Sequence, residues 1–494
     1  MKHTFRQARY DEPLLMEKGK PGRRGTTLPH WEGVNEIDEL VPEEMKRDDI
    51  QLPELSEPEV IRHFVRLSQM NYGTDSGIYP LGSCTMKYNP KLNDRIASHP
   101  TLSRMHPLQP EDTAQGILEM MHELQEFLAE IGGMDACTLQ PAAGAAGEFT
   151  GLLIAKKYHE SRGDTQRDEV IIPDSAHGTN PASAVLAGFN VIEIKSAPDG
   201  TVDVDALKDA LSERTAAFMI TNPSTLGIFE KNICEIQKAC HDAGALLYYD
   251  GANLNALMGK ARPGDMGFDI MHYNPHKTFS TPHGGGGPGA GPVAVCKKLE
   301  QFLPVPVVVR DGDGFKLDYD RENTIGKVKG FFGNVGVLIR AWAFIKTMGS
   351  DGLKRASEIA VLNASYIRSR IQDTYPVPFR KEDDRTKHEF VASASFLKEK
   401  GGSAKDVSKM LVDRGLHPPT NYFPLIVDEA LMIEPTESET MEELDKFSQA
   451  LIDIAGAKEE DFRAAPVNST VSRVDEVLAA KKLILNWNQF PEEE

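Results

Sequence analysis

The chain has 494 residues, 40% of them hydrophobic and 26% charged, which is the balance of a soluble globular protein with room for two or three domains and excludes a disordered or fibrous one. Its formal charge of −19, from 55 Lys and Arg against 74 Asp and Glu, has no compensating basic block, so neither nucleic acid nor an acidic membrane surface is an expected partner. Five cysteines, Cys84, Cys137, Cys234, Cys240 and Cys296, form no CxxC pair and point to a reducing compartment without a disulfide framework or a zinc ribbon.

The first residues mix both charge signs without an apolar core of signal-peptide length, and no later run approaches the roughly 18 apolar residues of a membrane span. The expectation is a cytoplasmic protein with no metal and no membrane. Residues 1–60 carry Pro13, Pro21, Pro29, Pro42, Pro53 and Pro58 at spacings that forbid one long helix across them, and scattered Leu, Val and Trp31 predict an extended arm that lies on another surface. From Asp112 to Ile131 the residues Ile117, Met120, Met121, Leu124, Phe127, Leu128 and Ile131 make one helical face, which stops at Gly132-Gly133. A strand-like run then leads into Gln140–Glu148, and a helix is predicted from Phe149.

Apolar runs recur at Glu169–Pro173, Asn190–Ile194, Ala216–Ile220, Ala245–Tyr249, Phe268–Tyr273 and Pro292–Val295, with helical or loop segments between them. That alternation predicts an α/β fold with a mostly parallel, helix-covered sheet, whose ligand site is built from loops at the carboxyl ends of the strands. After Arg340 a long helical region leads past Pro376 and Pro378 to a smaller α/β unit. Its predicted strands are His388–Ala394 and Tyr422–Ile426, and its predicted helices Ser403–Arg414 and Met441–Ala455, the last capped by Thr440 with Glu443. The expected division is an arm over 1–75, a large domain over 76–345 and a small C-terminal domain with its tail over 346–494.

Polar signals fall just after the strand-like runs. Gln140–Glu148 (QPAAGAAGE) brings small residues, Ala143, Gly144 and Ala145, to a helix amino terminus, where unpaired N–H groups and the helix dipole favour an anion; it is neither a Walker A loop nor GxGxxG. His177 follows Ile171-Ile172 and can stack on a planar ring. Asn222 opens an Asn-Pro turn and can donate to a ligand oxygen. Asp250 ends the run Ala245–Tyr249 and opens Asp250-Gly251-Ala252-Asn253.

Lys277 stands just past Phe268–Tyr273 in the segment NPHKTFSTPHGGGGPGAGP (Asn274–Pro292), ahead of a tract with six glycines between Gly284 and Gly291. Glycines let the backbone approach a bound group closely, and partial desolvation favours a neutral, nucleophilic amine, so the segment presents a lysine as Schiff-base lysines are presented. The cofactor that most often uses such a lysine is pyridoxal phosphate, whose ring nitrogen takes a carboxylate and whose phosphate takes backbone donors. Each signal also has a structural counterpart: a surface lysine, a turn aspartate, an Asn-Pro turn, a tight strand-to-helix connection, a structural histidine. Their order along the chain joins them, since phosphate loop, His, Asn, Asp and Lys arrive as successive strand-end elements.

The stretches YPLGSCTMKYNPK (Tyr79–Lys91), QPAAGAAGE, DSAHGTNPAS (Asp174–Ser183), NPSTLG (Asn222–Gly227), DGANLNA (Asp250–Ala256) and the lysine segment resemble the P-protein of the glycine cleavage system, glycine dehydrogenase (decarboxylating). The likeness runs from about Tyr72 to the tail and includes EPTESE at Glu434–Glu439. It implies the fold of pyridoxal-phosphate-dependent transferases (fold type I), with pyridoxal 5'-phosphate held as an aldimine at Lys277. It further implies decarboxylation of glycine, release of CO2 and transfer of the aminomethyl group to the lipoyl arm of H-protein. At about half the length of the one-chain family form, and with the lysine motif present, the chain resembles the catalytic subunit of a two-subunit form. The implied partner is a homologous subunit 1 that lacks the lysine, with two copies of each. The residues expected at the cofactor are Lys277, Ala143, Gly144, Ala145, His177, Asn222, Asp250, Ala252 and His276. For the glycine carboxylate, Ser83, Cys84, Thr85, Lys87 and His276 are candidates, each of which could equally be structural. An aminotransferase, a decarboxylase of a larger amino acid, and a subunit that only completes an assembly remain open as alternatives.

Overall fold

The computed structural model describes residues 5–27, 40–46, 52–284, 289–379 and 386–486. Trp31 of the expected arm and four residues of the glycine tract, 285–288, lie outside the described residues. The chain divides into two units, one of Thr74–Leu411 with Leu416–Phe462, the other of Met1–Gly73, Val412–Gly415 and Arg463–Glu494.

In the larger unit seven strands, β1 (Ala136–Thr138), β2 (Glu169–Pro173), β3 (Asn190–Ile194), β4 (Thr215–Thr221), β5 (Leu246–Gly251), β6 (Ile270–Tyr273) and β7 (Val293–Val295), form one sheet in the order β1-β7-β6-β5-β4-β2-β3. Strands β2 to β6 run parallel, and β7 runs against both its neighbours. The predicted apolar runs coincide with β2 to β7. They read as continuous rather than alternating because β4 to β7 are buried along their whole length, as a sheet covered on both faces requires.

The period of two sorts those residues between two cores. Phe218, Ile220, Leu247, Tyr249, Met271 and Tyr273 point into one cluster, while Ala217, Met219, Leu246, Tyr248 and Ile270 point into the other. Two more residues of the second face, Asp250 after Tyr248 and His272 after Ile270, place polar groups at the carboxyl end of the sheet. The helix Gly144–Ser161 crosses this face at close range: a Cβ on Gly147 would stand 2.7 Å from the Gly291 carbonyl oxygen, and one on Gly151 only 2.4 Å from the Tyr248 ring. The two glycines allow the helix to lie that low.

On the opposite face the helix Gln115–Gly132 buries Ile117, Leu118, Met121, Leu124 and Leu128 and ends at Gly133, left-handed at φ 68°. It follows the predicted helical face closely. The segment Val335–Ile371 is helical with an interruption at Gly349 (φ 59°, ψ −177°), and the helix Met441–Ala455 packs against it. Thr440 caps the latter by accepting the Glu443 N–H.

Beyond a two-stranded hairpin, β8 (Val307–Asp311) with β9 (Gly314–Asp318), lies a small antiparallel sheet of β10 (Phe390–Ser393), β11 (Thr420–Asn421) and β12 (Ala430–Ile433), ordered β10-β12-β11. Strand β10 lies within the predicted His388–Ala394. The strand expected over Tyr422–Ile426 does not form, because Tyr422 is left-handed (φ 57°) and Pro424 has no N–H to donate; the pairing strand is β12 instead. The helix expected over Ser403–Arg414 spans Ala404–Val412.

In the smaller unit the helix Glu57–Gln69 begins with a capping box between Ser56 and Glu59 and carries Pro58 in its first turn, where a missing N–H costs nothing. Its His63 and Arg66 each approach the Glu12 carboxylate to 2.8 Å, and Lys18 joins them. No described helix is long and apolar enough to cross a membrane.

Candidate active site

The site is assembled where β2, β4, β5 and β6 end. Asp250, the penultimate residue of β5, is register partner of Thr221 on β4 and of His272 on β6. Its Oδ2 accepts from Thr221 Oγ1 (3.0 Å) and from Asn180 Nδ2 (3.1 Å), and its Oδ1 from the Ala252 N–H (2.9 Å). His272 Nε2 stands 3.2 Å from Oδ1, without the alignment of a hydrogen bond, and its side chain is wholly buried. Burial pushes the Asp250 carboxyl up, but His272, the Lys277 ammonium, the Ala252 N–H and Asn180 outweigh it, leaving the group below the ordinary aspartate range. The chain thus holds a buried carboxylate ionised at a strand end.

Lys277 lies one strand further on, in the short helical turn Pro275–Thr278 that follows β6, and is half-buried. Among the described residues its side chain meets no hydrogen-bond or ion-pair partner, which leaves the amine free to react. Its charge reaches Asp250, His177, His276 and Cys84.

His177 follows β2. Its Nδ1 is 2.9 Å from Thr179 Oγ1, and that hydroxyl donates to Glu148 Oε1 on the crossing helix, also at 2.9 Å. Burial, and then repulsion from Lys277, lower its pKa and so favour the neutral ring. It meets the Phe423 ring edge to face at 5.6 Å. His276 is lowered further, to about 3, by burial, His283 and Lys277.

Asn222 follows β4 and is fully buried. Its Oδ1 accepts the Glu230 N–H at 2.9 Å and its own carbonyl accepts the Tyr249 hydroxyl at 2.6 Å, but Nδ2 has no partner. Ala143 is the N-cap of the helix Gly144–Ser161, extended at φ −160°, with no side chain capping the first turn. A Cβ on Gly144 would fall 2.1 Å from Asn274 Oδ1, and one on Gly291 would fall 1.9 Å from the Ala143 carbonyl oxygen, so both positions require glycine. Ala252 touches the site through its N–H on Asp250.

Of the expected residues, Asp250, His177 and His276 lie within electrostatic reach of Lys277, and the structure adds some that the strand-end reading passed over, bonded to or beside Asp250 and His177: His272, Asn180, Thr221 and Glu148. Asn180 and Glu148 lie inside motifs already singled out, DSAHGTNPAS and QPAAGAAGE. His272 sits within an apolar run with no local signal of its own. Of the candidates for a substrate carboxylate, Lys87 is spoken for, since its buried ammonium donates to Thr278 O (2.8 Å), Asn255 Oδ1 (3.0 Å) and Glu437 Oε1 (2.6 Å).

A family model described as Glycine cleavage system P-protein matches residues 29–316, and one described as Glycine dehydrogenase, C-terminal domain, matches residues 356–476. The chain belongs to the glycine cleavage system P-protein family. Proteins named probable glycine dehydrogenase (decarboxylating) subunit 2 from Pyrococcus abyssi and Thermococcus onnurineus are 57% and 58% identical to it, each over 99% of this chain and 98% of the relative. The resemblance carried by the six motifs is borne out over almost the whole length. Among solved structures, a glycine decarboxylase (P-protein) of the glycine cleavage system in inhibitor-bound form superposes on this P-protein chain with a TM-score of 0.73 at 21% identity, covering 87% of this chain and all of the other. A glutamate decarboxylase of Lactobacillus brevis does so with a TM-score of 0.63 at 14% identity, covering 85% and 98%. At those identities the likeness is one of fold, and the fold is the α/β, fold type I architecture expected from the sequence.

Proposed function

We propose that this chain is the lysine-bearing subunit of a two-subunit glycine dehydrogenase (decarboxylating), which removes CO2 from glycine and passes the aminomethyl group to the lipoyl arm of H-protein. The residues at the strand ends fit pyridoxal phosphate. Buried polar atoms without partners, Asn222 Nδ2, Asn180 Oδ1, Asn274 Oδ1 and His276 Nδ1, line this part of the chain, and a buried unpaired polar atom costs about 1–3 kcal/mol unless something bonds to it. When bound, the cofactor supplies an electron sink for the pair released as the carboxylate departs.

The chain's own residues have separate tasks. Lys277 Nζ would hold the cofactor covalently and, when not so engaged, is a candidate to give and take protons. Asp250, as a carboxylate, would be set against the ring nitrogen and would hold a proton there. The uncapped first turn at Ala143, Gly144 and Ala145 takes the phosphate, because its N–H groups have no intrahelical acceptors. His177, neutral, offers a ring face, and Asn222 Nδ2 a donor. In this reading the arm over 1–75, the large domain over 76–345 and the small domain over 346–494 work together in the cytoplasm with subunit 1, two copies of each.

The observation that carries the proposal is the buried Asp250 carboxylate one strand away from a half-buried lysine that meets no partner among the described residues, in a chain 57% identical over its length to proteins that bear the dehydrogenase name. The test is glycine-dependent exchange of labelled bicarbonate by the chain co-purified with a subunit 1 homologue, with lipoylated H-protein present. Exchange without turnover of keto acids is the expected result. Transamination of a keto acid, or no exchange with the cofactor bound, would sink it.

A further inference from the structure

The small sheet carries two acidic residues that the chemistry above does not use. Glu389 and Glu434 stand immediately beyond the Phe390–Ile433 pair of β10 and β12, facing each other across an antiparallel ladder, and both are completely buried. Like charges in directly opposed positions destabilise a sheet even at its surface. Here, among the described residues, no Lys or Arg pairs with either. His388, also fully buried, brings Nε2 to 3.6 Å from Glu434 Oε1, and burial followed by repulsion from Lys277 lowers its pKa to about 3, so it offers no positive charge. Two carboxylates in such a place cannot both ionise. Burial and mutual repulsion push Glu389 well above the ordinary range; burial lifts Glu434 to about 7.

What the pair grips is a strained turn. Glu389 Oε2 accepts the Ser83 N–H at 2.7 Å and Oε1 accepts Asn253 Nδ2 at 3.0 Å; Glu434 accepts the Thr85 N–H at 3.1 Å and the Thr85 hydroxyl at 2.6 Å. Ser83 and Thr85 are both left-handed, at φ 64° and 50°, a conformation that residues with a Cβ keep only when their surroundings impose it. The segment before them is tied to the same sheet: Leu81 bridges Ile433, the Gly82 N–H donates to Met432 O, and a Cβ on Gly82 would stand 2.3 Å from the Met432 side chain. Between the two gripped residues sits Cys84, whose thiol burial pushes up and the Lys277 ammonium pulls back down. The turn is thus anchored on the small sheet and carries Cys84 within electrostatic reach of Lys277.

We propose that Glu389 and Glu434 form one positioning unit that holds a single proton and, by clamping Ser83 and Thr85, fixes Cys84 and its neighbouring backbone beside Lys277. It rests on the proposed function only in naming Lys277 as the reacting group. The singly protonated state is the one that clamps. With both groups ionised they repel across the ladder, and with both protonated they lose the charge that strengthens their bonds to the N–H donors. The charged and titratable groups that act on the pair or stand beside it are Lys277, Glu437, Cys84 and His388, the last also under the field of Lys87.

The test uses the full chain, loaded with cofactor and co-purified with its partner subunit, and needs no turnover. In infrared spectra near neutral pH, a carbonyl stretch of a protonated carboxylic acid is expected, and it is expected to vanish in both Glu389→Gln and Glu434→Gln, which keep the shape but leave one carboxylate alone. Alkylation of Cys84, followed on its own peptide by mass spectrometry, is expected to stay slow in Glu434→Gln and to speed up about tenfold or more in Glu434→Ala, where the turn is released to open locally. A band unchanged in either glutamine variant, a stoichiometric divalent cation in the purified complex, or equal alkylation rates in wild type and Glu434→Ala would overturn the proposal. Should Glu434→Ala fail to fold, the two glutamine variants still decide. Glycine exchange that is absent while the band and the alkylation pattern hold would remove the proposed function and leave the clamp standing.

Discussion

Asp250 and His272 are register partners on adjacent parallel strands, with Nε2 of the imidazole 3.2 Å from Oδ1 of the carboxylate and both side chains shut off from solvent. The imidazole is in turn placed by Tyr248, whose hydroxyl lies 3.3 Å from His272 Nδ1 and is kept protonated by burial. The carboxylate that the proposed chemistry needs is thus maintained from below by a pair of residues that no substrate reaches.

Replacing His272 with Phe keeps the volume and removes that support. Asp250 then titrates at a higher pH, and its hold on a proton at the ring nitrogen weakens. The expected outcome is a chain that still binds pyridoxal phosphate but exchanges bicarbonate about tenfold more slowly, which corresponds to about 1.4 kcal/mol of lost stabilisation. The loss should be greatest at the acid end of the pH profile. An unchanged rate and profile would mean that the other three donors to Asp250 suffice alone.

This pair also marks where sequence reading reaches and where it stops. Asp250 and Lys277 are legible because Asp250 directly follows an apolar run and Lys277 stands four residues past the end of another, and such positions in a parallel sheet are where ligand loops begin. His272 is a polar residue inside such a run, and only the register of β6 against β5 sets it beside Asp250. Glu389 lies in a predicted strand and Glu434 opens the EPTESE stretch, but nothing local sets them against each other; the antiparallel pairing of β10 with β12 does that and buries both. The misplaced strand at Tyr422–Ile426 has a local cause, a left-handed tyrosine ahead of a proline, that an apolar pattern does not reveal.

Gly291→Ala tests the backbone cradle. A methyl group there would lie 1.9 Å from the Ala143 carbonyl oxygen and 3.2 Å from the Gly144 nitrogen, so the start of the helix Gly144–Ser161 has to move. Overpacking of this kind costs about 1–3 kcal/mol, and the displaced N–H groups are those assigned to the phosphate. Cofactor affinity, titrated by absorbance, should fall about tenfold or more, with Lys277 still able to form its covalent link. Wild-type affinity would show that the first turn does not hold the phosphate.

Asp269 supports the same strands from the opposite end. It accepts from His241 Nε2 and the Leu247 N–H, both at 2.9 Å, and pairs with Lys298 at 2.7 Å. Burial raises its pKa, but these three partners outweigh that and leave it below the ordinary value of 3.8. A lowered carboxyl stabilises the fold at pH above its unfolded value, and that contribution disappears as pH falls through the folded one. Asp269→Asn should therefore cost about 2 kcal/mol at pH 7, read from the denaturant midpoint, and progressively less below pH 4. A cost that stayed constant across this range would mean that charge at Asp269 is irrelevant.

Lys277→Ala and Asp250→Asn separate the two principal roles. In the proposed function the lysine supplies the covalent link, so its removal should abolish the cofactor's visible band and glycine-dependent exchange together; survival of either would take Lys277 out of the reaction. Asn at 250 keeps one accepting oxygen, while its Nδ2 is a donor that Thr221 and Asn180 meet only by turning to accept, and it has no charge to set against the ring nitrogen. The variant should keep much of its cofactor and lose most of its turnover, on the order of a hundredfold, as removal of a preorganised charge from a buried site does. If Asp250→Asn instead lost the cofactor while the remaining bound fraction exchanged at the wild-type rate, the carboxylate would be a binding residue only, and the sink would have to draw its proton from elsewhere among the strand ends.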